Sequence, residues 1–208
     1  MSEDAIPTKC AHCQRDLKTP VFCDYCETLN PLPSLTDHFQ LMGLPRRFEV
    51  DAGVLHDRYV ALSRHTHPDL HTGEGPEVQA LSLRISATVN DAYRTLRDPA
   101  ARAGYLLELL GGPSSAQDKS VPEGFLGTMM MMQEELADAK TAGNRPALER
   151  LRHVLQTQQD GLMRRVAGLF GELDEASACE ATRRDLLAEL RRQLNAVGYV
   201  KKLMTQVE

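Results

Sequence analysis

Two stretches of this chain carry residues that could do chemistry. The first is RHTHPDLH, residues 64–71, which puts three histidines and an aspartate into eight positions. Imidazoles and a carboxylate at that density could hold metal, act as a base, or shape a turn that docks on another molecule. A hydrolytic di-metal loop reads His-x-His-x-Asp-His; here His65, His67 and Asp69 are followed by Leu70, so His71 arrives one residue late. The second is Cys10-x2-Cys13, nine residues, then Cys23-x2-Cys26. Each C-x-x-C turn points two sulfurs at one spot, and two turns close a tetrahedron. A cage of four thiolates suits zinc first and iron second. His12 could replace a thiolate, but four cysteines already complete the shell. Cys179 has no base placed beside it and reads as a small packing residue on the last helix.

The elements that position these residues are mostly helical. Of 208 residues, 42% are apolar, 25% charged and 5% aromatic, with no Trp. Frequent Leu, Ala, Glu and Arg favour helix over sheet. A net charge of −5 and a pI near 5.8 argue against a nucleic-acid partner, since phosphates need clustered Lys and Arg. The opening MSEDAIPTKC holds two acids and no apolar run, which predicts neither a secretory nor a transit segment. No stretch approaches the ~20 apolar residues of a membrane span, so no membrane partner is expected. A cytoplasmic protein is expected, and there clustered cysteines point to metal instead of disulfides.

Residues 1–33 form a Cys-rich module, ended by the proline pair of NPLPS. So short a segment cannot fold on core burial alone, and metal binding would supply its stability. Residues 34–111 read as a helical hairpin. Asp51 caps a helix whose apolar face is Leu55, Tyr59 and Leu62. That helix stops near Thr66, because the residue before Pro68 is pushed out of the α region. HTHPDLHTGEGPE is therefore a loop. A helix from Pro76 or Glu77 carries Leu81, Ile85, Val89, Ala92 and Leu96, and Asp98-Pro99 opens another that ends at Gly111. Residues 112–121, GPSSAQDKSV, read as a linker. Residues 122–208 carry three helical stretches: Pro122 to Thr141, one capped by Asn144, and one from near Asp174 to about Gln206. Three such helices make a bundle. Met129 to Met132 cannot all face one core, so at least one or two must be exposed, where Met suits adaptable binding surfaces. No alternating strand pattern follows residue 34, and no Gly-rich phosphate loop is present.

His67-Pro68-Asp69 between two antiparallel helices resembles the J-domain signature. HFQLMGLPRRFEVD (38–51), LHDRYVALSRHTHPD (55–69), VNDAYRTLRDPAARAGYLLELLG (89–111), FLGTMMMMQEELADA (125–139) and VGYVKKL (197–203) narrow this further. Together they resemble the HscB family, J-type co-chaperones of iron–sulfur cluster assembly, over residues 36–206. The resemblance implies a mainly α fold: a J-domain hairpin, then a three-helix bundle, here behind an N-terminal zinc ribbon or knuckle. It implies a non-enzymatic protein that meets a DnaK/HscA-class chaperone through His67, Pro68 and Asp69, with Arg58, Arg64 and His65 on the adjoining basic face. Asp57 interrupts that face. It implies, too, that an IscU-like iron–sulfur scaffold binds Leu126, Met130, Glu134, Asp138 and Tyr199. Gly127 stands where the family usually has a larger apolar residue, and Met131 where it often has a carboxylate. Two other readings stay open: a general J-protein for unfolded clients, and a metallohydrolase using His65, His67, Asp69 and His71.

Overall fold

Caps and prolines place the first helices where local chemistry demands them. The structure, a computed structural model, describes residues 6–33, 36–175 and 179–207. The acidic opening MSEDA and the expected boundary at residue 34 lie outside them. Among the described residues the regular elements are helical, and extended pairing is confined to three isolated bridges in the Cys-rich segment. The chain divides into two compact units between Asp98 and Pro99.

The Cys-rich segment of the first unit is one knuckle made twice. In the first copy Gln14 N–H donates to the Cys10 carbonyl at 3.0 Å, Cys10 N–H to Arg15 at 2.8 Å and Leu17 N–H to Thr8 at 2.8 Å. In the second, Glu27 donates to Cys23 at 2.8 Å, Cys23 to Thr28 at 3.1 Å and Asn30 to Val21 at 2.8 Å. Every partner has moved by 13 positions, as have the bridges Lys9–Asp16 and Phe22–Leu29. Gln14 and Glu27 both hold a positive φ, 62° and 55°, which turns the chain back after each C-x-x-C. Asn30 Oδ1 accepts from Ala11 N–H at 2.8 Å and joins the second copy to the first.

Helices α1 (His38–Leu41), α2 (Ala52–Thr66) and α3 (Pro76–Arg97), with a 3-10 turn at Pro68–His71, complete this unit. The Asp37 and Asp51 carboxylates accept from Phe39 N–H and Val54 N–H, caps that contribute about 1 kcal/mol each. Phe39 and Leu41 of α1, Leu55 and Leu62 of α2, and Ile85, Val89, Ala92 and Leu96 of α3 are buried together as the core. Tyr59 stacks on Tyr93 at 4.1 Å and its hydroxyl donates to Asn90 Oδ1 at 2.9 Å, fixing the antiparallel register of α2 and α3.

The second unit holds α4 (Pro99–Leu109), α5 (Phe125–Thr141), α6 (Arg145–Glu175) and α7 (Glu180–Val207). Three expectations need correction. Residues 99–111 do not belong to the hairpin unit: Ala103, Leu106 and Leu107 are buried and α4 packs on α7 and α6. The polar stretch 112–121 is not a loose linker. Arg191 Nε donates to the Pro113 carbonyl at 2.8 Å, and Asn195 Nδ2 to the carbonyls of Asp118 and Ser120 at 2.9 and 2.8 Å, strapping it along α7. Finally, Asp174 does not open the last helix. The buried stripe of Val166, Leu169, Phe170 and Leu173 keeps α6 packed almost to its end at Glu175, and α7 begins at Glu180. The turn from α5 into α6 follows the sequence: Gly143 takes a φ of 60° and the Asn144 side chain accepts from Ala147 N–H at 3.2 Å.

Candidate functional site

The turn after α2 begins with His67 in extended backbone, φ −66° and ψ 130°, as the following Pro68 requires. His67 Nδ1 accepts from Asp69 N–H at 3.3 Å, and the His67 carbonyl accepts from Leu70 N–H at 3.0 Å. Both ends of the turn are tied down. His71 is buried, its Nε2 donating to the His65 carbonyl at 3.1 Å while its Nδ1 faces the Glu74 carboxylate at 2.9 Å. Ser82 Oγ, buried in α3, donates to the Thr66 carbonyl at 2.9 Å. The side chains of His67 and Asp69 nevertheless face solvent, 59% and 84% exposed. A fixed backbone that presents an imidazole and a carboxylate outward is shaped for contact with another molecule.

It is not shaped for hydrolysis. The His65 ring stacks on Phe22, with centroids 4.3 Å apart, His67 points outward and His71 points inward to Glu74. Among the described residues, the group that brings three or more potential metal ligands together is Cys10, Cys13, Cys23 and Cys26, not the histidine loop. The metallohydrolase reading is therefore wrong: a helix end followed by a 3-10 turn sends successive side chains in different directions. Arg58 and Arg64 lie exposed on α2, whereas His65, grouped with them from sequence, is half-buried under Phe22.

The four sulfurs lie within 4.8 Å of one another, with Cys10–Cys26 and Cys13–Cys23 each at 3.6 Å. Disulfide sulfurs would stand at about 2.0 Å. Sulfurs at about 2.3 Å from a tetrahedral zinc would stand about 3.8 Å apart, so the cage fits such an ion. The N–H groups of Cys13 and His12 point at Cys10 Sγ and lower its thiol to about 6. At Cys13 the Arg15 N–H pulls downward, but burial and the three neighbouring sulfurs push the thiol up to about 11. The Cys26 and Tyr25 N–H groups hold the Cys23 thiol low as well, against its burial, so the cage favours thiolate at Cys10 and Cys23 and resists it at Cys13, a repulsion that a divalent cation removes. Cys179, by contrast, is exposed just before α7 and packs no core, which corrects its sequence reading; hydrogen bonds from Thr182 lower its thiol.

In the second unit, Leu126 (50% exposed), Met130 (64%), Tyr199 (45%), Glu134 and Asp138 are all exposed. The methionine run splits as helical geometry requires: Met129 is buried, Met132 half-buried, Met130 and Met131 exposed. Tyr199 sits edge-on to buried Phe125 at 6.2 Å, which brings α7 beside the start of α5. A hollow of about 400 Å³ lies here, lined by Val121, Pro122, Leu126, Gly127 and Tyr199 among others. A methyl group at Gly127 would meet nothing within 4 Å. Gly127→Ala should therefore raise stability by about 0.5–1 kcal/mol by removing a helix-interior glycine. Chemical denaturation checks this: the midpoint rises and the slope stays constant.

A capped helical hairpin, a four-sulfur knuckle and an outward-facing turn without converging ligands describe a helical protein built to present surfaces. Comparison with known proteins gives the particular family. Residues 121–202 match the family described as HSCB C-terminal oligomerisation domain. The co-chaperone protein HscB homolog of Ralstonia nicotianae is 37% identical over 154 residues, covering 73% of this chain and 88% of the relative. That of Burkholderia multivorans is 34% identical over 158 residues, covering 75% and 90%. The crystal structure of human co-chaperone protein HscB superposes with a TM-score of 0.77 at 26% identity, over 96% of each chain. Chaperone HscB from Vibrio cholerae gives 0.66 at 29% identity, over 83% of this chain and 95% of that one. The chain belongs to the HscB family of co-chaperones, which are not enzymes.

Proposed function

We propose that this co-chaperone brings an IscU-like iron–sulfur scaffold to a DnaK/HscA-class chaperone and stimulates the chaperone's ATPase, promoting transfer of the cluster. The observation that carries the reading is the turn: His71 and Ser82 hold its backbone while His67 and Asp69 face outward. A preorganised turn loses little freedom on docking. It shifts the chaperone toward hydrolysis only by binding the hydrolysis-competent state more tightly than the resting one. Asp69 supplies the carboxylate for a cationic partner group, Arg58 and Arg64 supply steering charge, and His67 and Pro68 supply the shape. The scaffold meets Leu126, Met130, Glu134, Asp138 and Tyr199, an apolar patch with two carboxylates further along α5. Zinc holds the four cysteines together as a structural ion. No described helix is long and apolar enough to cross a membrane, and the proposed site of action is the cytoplasm.

The test is phosphate release by the chaperone with ATP, with and without this protein and the scaffold. Stimulation that grows further with the scaffold, but not with an unfolded client, supports the reading. Equal enhancement by any unfolded chain would replace it with a general J-protein. Met130→Asp should weaken scaffold binding roughly 30-fold or more, as for loss of a central apolar anchor, and leave scaffold-independent stimulation unchanged. Calorimetric titration with the scaffold reads the first effect and phosphate release the second.

A further inference from the structure

One side chain of the four-cysteine knuckle reaches the end of α2, just before the turn. Phe22 precedes Cys23 directly, and the second knuckle fixes its backbone through bridges to Thr19 and Leu29 and a 3.2 Å hydrogen bond from Thr19 Oγ1 to the Phe22 carbonyl. Its ring lies nearly parallel to that of His65, 13° between planes and 4.3 Å between centroids. His65 is the penultimate residue of α2, two positions before His67. Its carbonyl receives His71 Nε2 at 3.1 Å, the bond that closes the turn. A continuous line of contacts therefore runs from the sulfur cage through Phe22 and the His65 ring to the His65 carbonyl, His71 and the turn.

Elsewhere on the knuckle, a cleft of about 270 Å³ lies between Leu17, Thr19 and Pro20 and the residues Met42, Arg58 and Ala61. The knuckle does not cover the docking groups either: Arg58 and Arg64 are exposed, and the His67 and Asp69 side chains keep 59% and 84% of their exposure.

We propose that the four-cysteine module is a metal-dependent brace for the His67-Pro68-Asp69 turn, with Phe22 and His65 as its positioning residues. The metal fixes the knuckle, the knuckle aims Phe22, and Phe22 holds the end of α2 so that the turn meets the chaperone preorganised. This rests on the proposed co-chaperone function for its activity arm and on the geometry alone for its structural arm.

The experiment uses the full chain, as wild type, Phe22→Ala and Phe22→Tyr, each loaded with zinc and each stripped with a chelator. Metal content, amide hydrogen exchange over residues 65–74, and the concentration giving half-maximal chaperone stimulation are measured. Phe22→Ala should retain zinc, speed exchange in the turn roughly three- to tenfold, and raise the half-maximal concentration by a similar factor, the range expected for loss of one aromatic stack. Phe22→Tyr should restore both. Stripping zinc from wild type should reproduce the Phe22→Ala effect, and stripping it from Phe22→Ala should add nothing further in the turn. Unchanged exchange in zinc-loaded Phe22→Ala overturns the brace, as does faster exchange with an unchanged half-maximal concentration. Stronger stimulation by Phe22→Ala overturns it too, by making the knuckle a cover. If wild type itself fails to stimulate the chaperone, the proposed function falls, and the exchange arm still decides whether the brace exists.

Discussion

Chelation of the metal should unfold residues 6–30 and leave α2 and α3 helical. Among its described residues the segment buries only two aliphatic side chains deeply, Val21 and Leu29. Each contributes about 1.5–3 kcal/mol on burial, whereas a structural zinc on four thiolates contributes about 10–16 kcal/mol at neutral pH. Without the ion, nothing of comparable size holds Gln14 and Glu27 in their left-handed turns. The hairpin has its own core in Phe39, Leu41, Leu55, Ile85 and Leu96 and its own stack of Tyr59 on Tyr93. Hydrogen exchange and limited proteolysis should therefore show loss of protection confined to the knuckle and the turn it braces, with little change in helical circular dichroism. Cys23→Ser should behave as the stripped protein does, and Cys179→Ser, altering an exposed thiol outside the cage, should change nothing. A knuckle that stays protected after complete removal of metal would show that packing, not coordination, holds it.

The parts of the fold legible in the sequence are those set by local chemistry. Asp51 before an apolar face starts α2, Pro68 stops it, and Pro76 opens α3, because caps and proline sterics act within a few residues. The cage is legible for the same reason: C-x-x-C spacing closes its own geometry. The 13-residue repeat is equally local, visible as KCAHCQRDL against FCDYCETLN, but attention to the cysteines alone misses it. Other features are set across the chain. Residues 112–121 have the composition of a linker, but Arg191 and Asn195, more than seventy residues away, hold their carbonyls. The unit boundary falls at Asp98–Pro99, which carries the signature of a helix start and none of a linker. His65 reads as one more cation on a basic face, because nothing near it in sequence announces Phe22. The exposed patch on α5 is half legible: four successive methionines guarantee exposure somewhere, but only the packed helices decide that Met130 and Met131 provide it.

Asp69→Asn should weaken stimulation of the chaperone roughly 30-fold or more while changing the stability of this protein by no more than about 0.5 kcal/mol. In the free protein the Asp69 carboxylate is 84% exposed and stands 3.5 Å from His67 Nδ1, an exposed pair that contributes little. In the proposed docked state the same carboxylate would be desolvated against a cationic group, and deleting one member of such a pair costs about 2–5 kcal/mol. His67→Gln should act in the same direction, since it alters an exposed ring whose proposed role is the shape of the turn. His71→Ala supplies the contrast. That ring is buried, with one nitrogen on the His65 carbonyl and the other at the Glu74 carboxylate, so its loss should lower stability and stimulation together. Denaturant titration paired with phosphate release distinguishes the two kinds of variant. Unimpaired stimulation by Asp69→Asn would mean that the turn, however well held, is not where the chaperone is engaged.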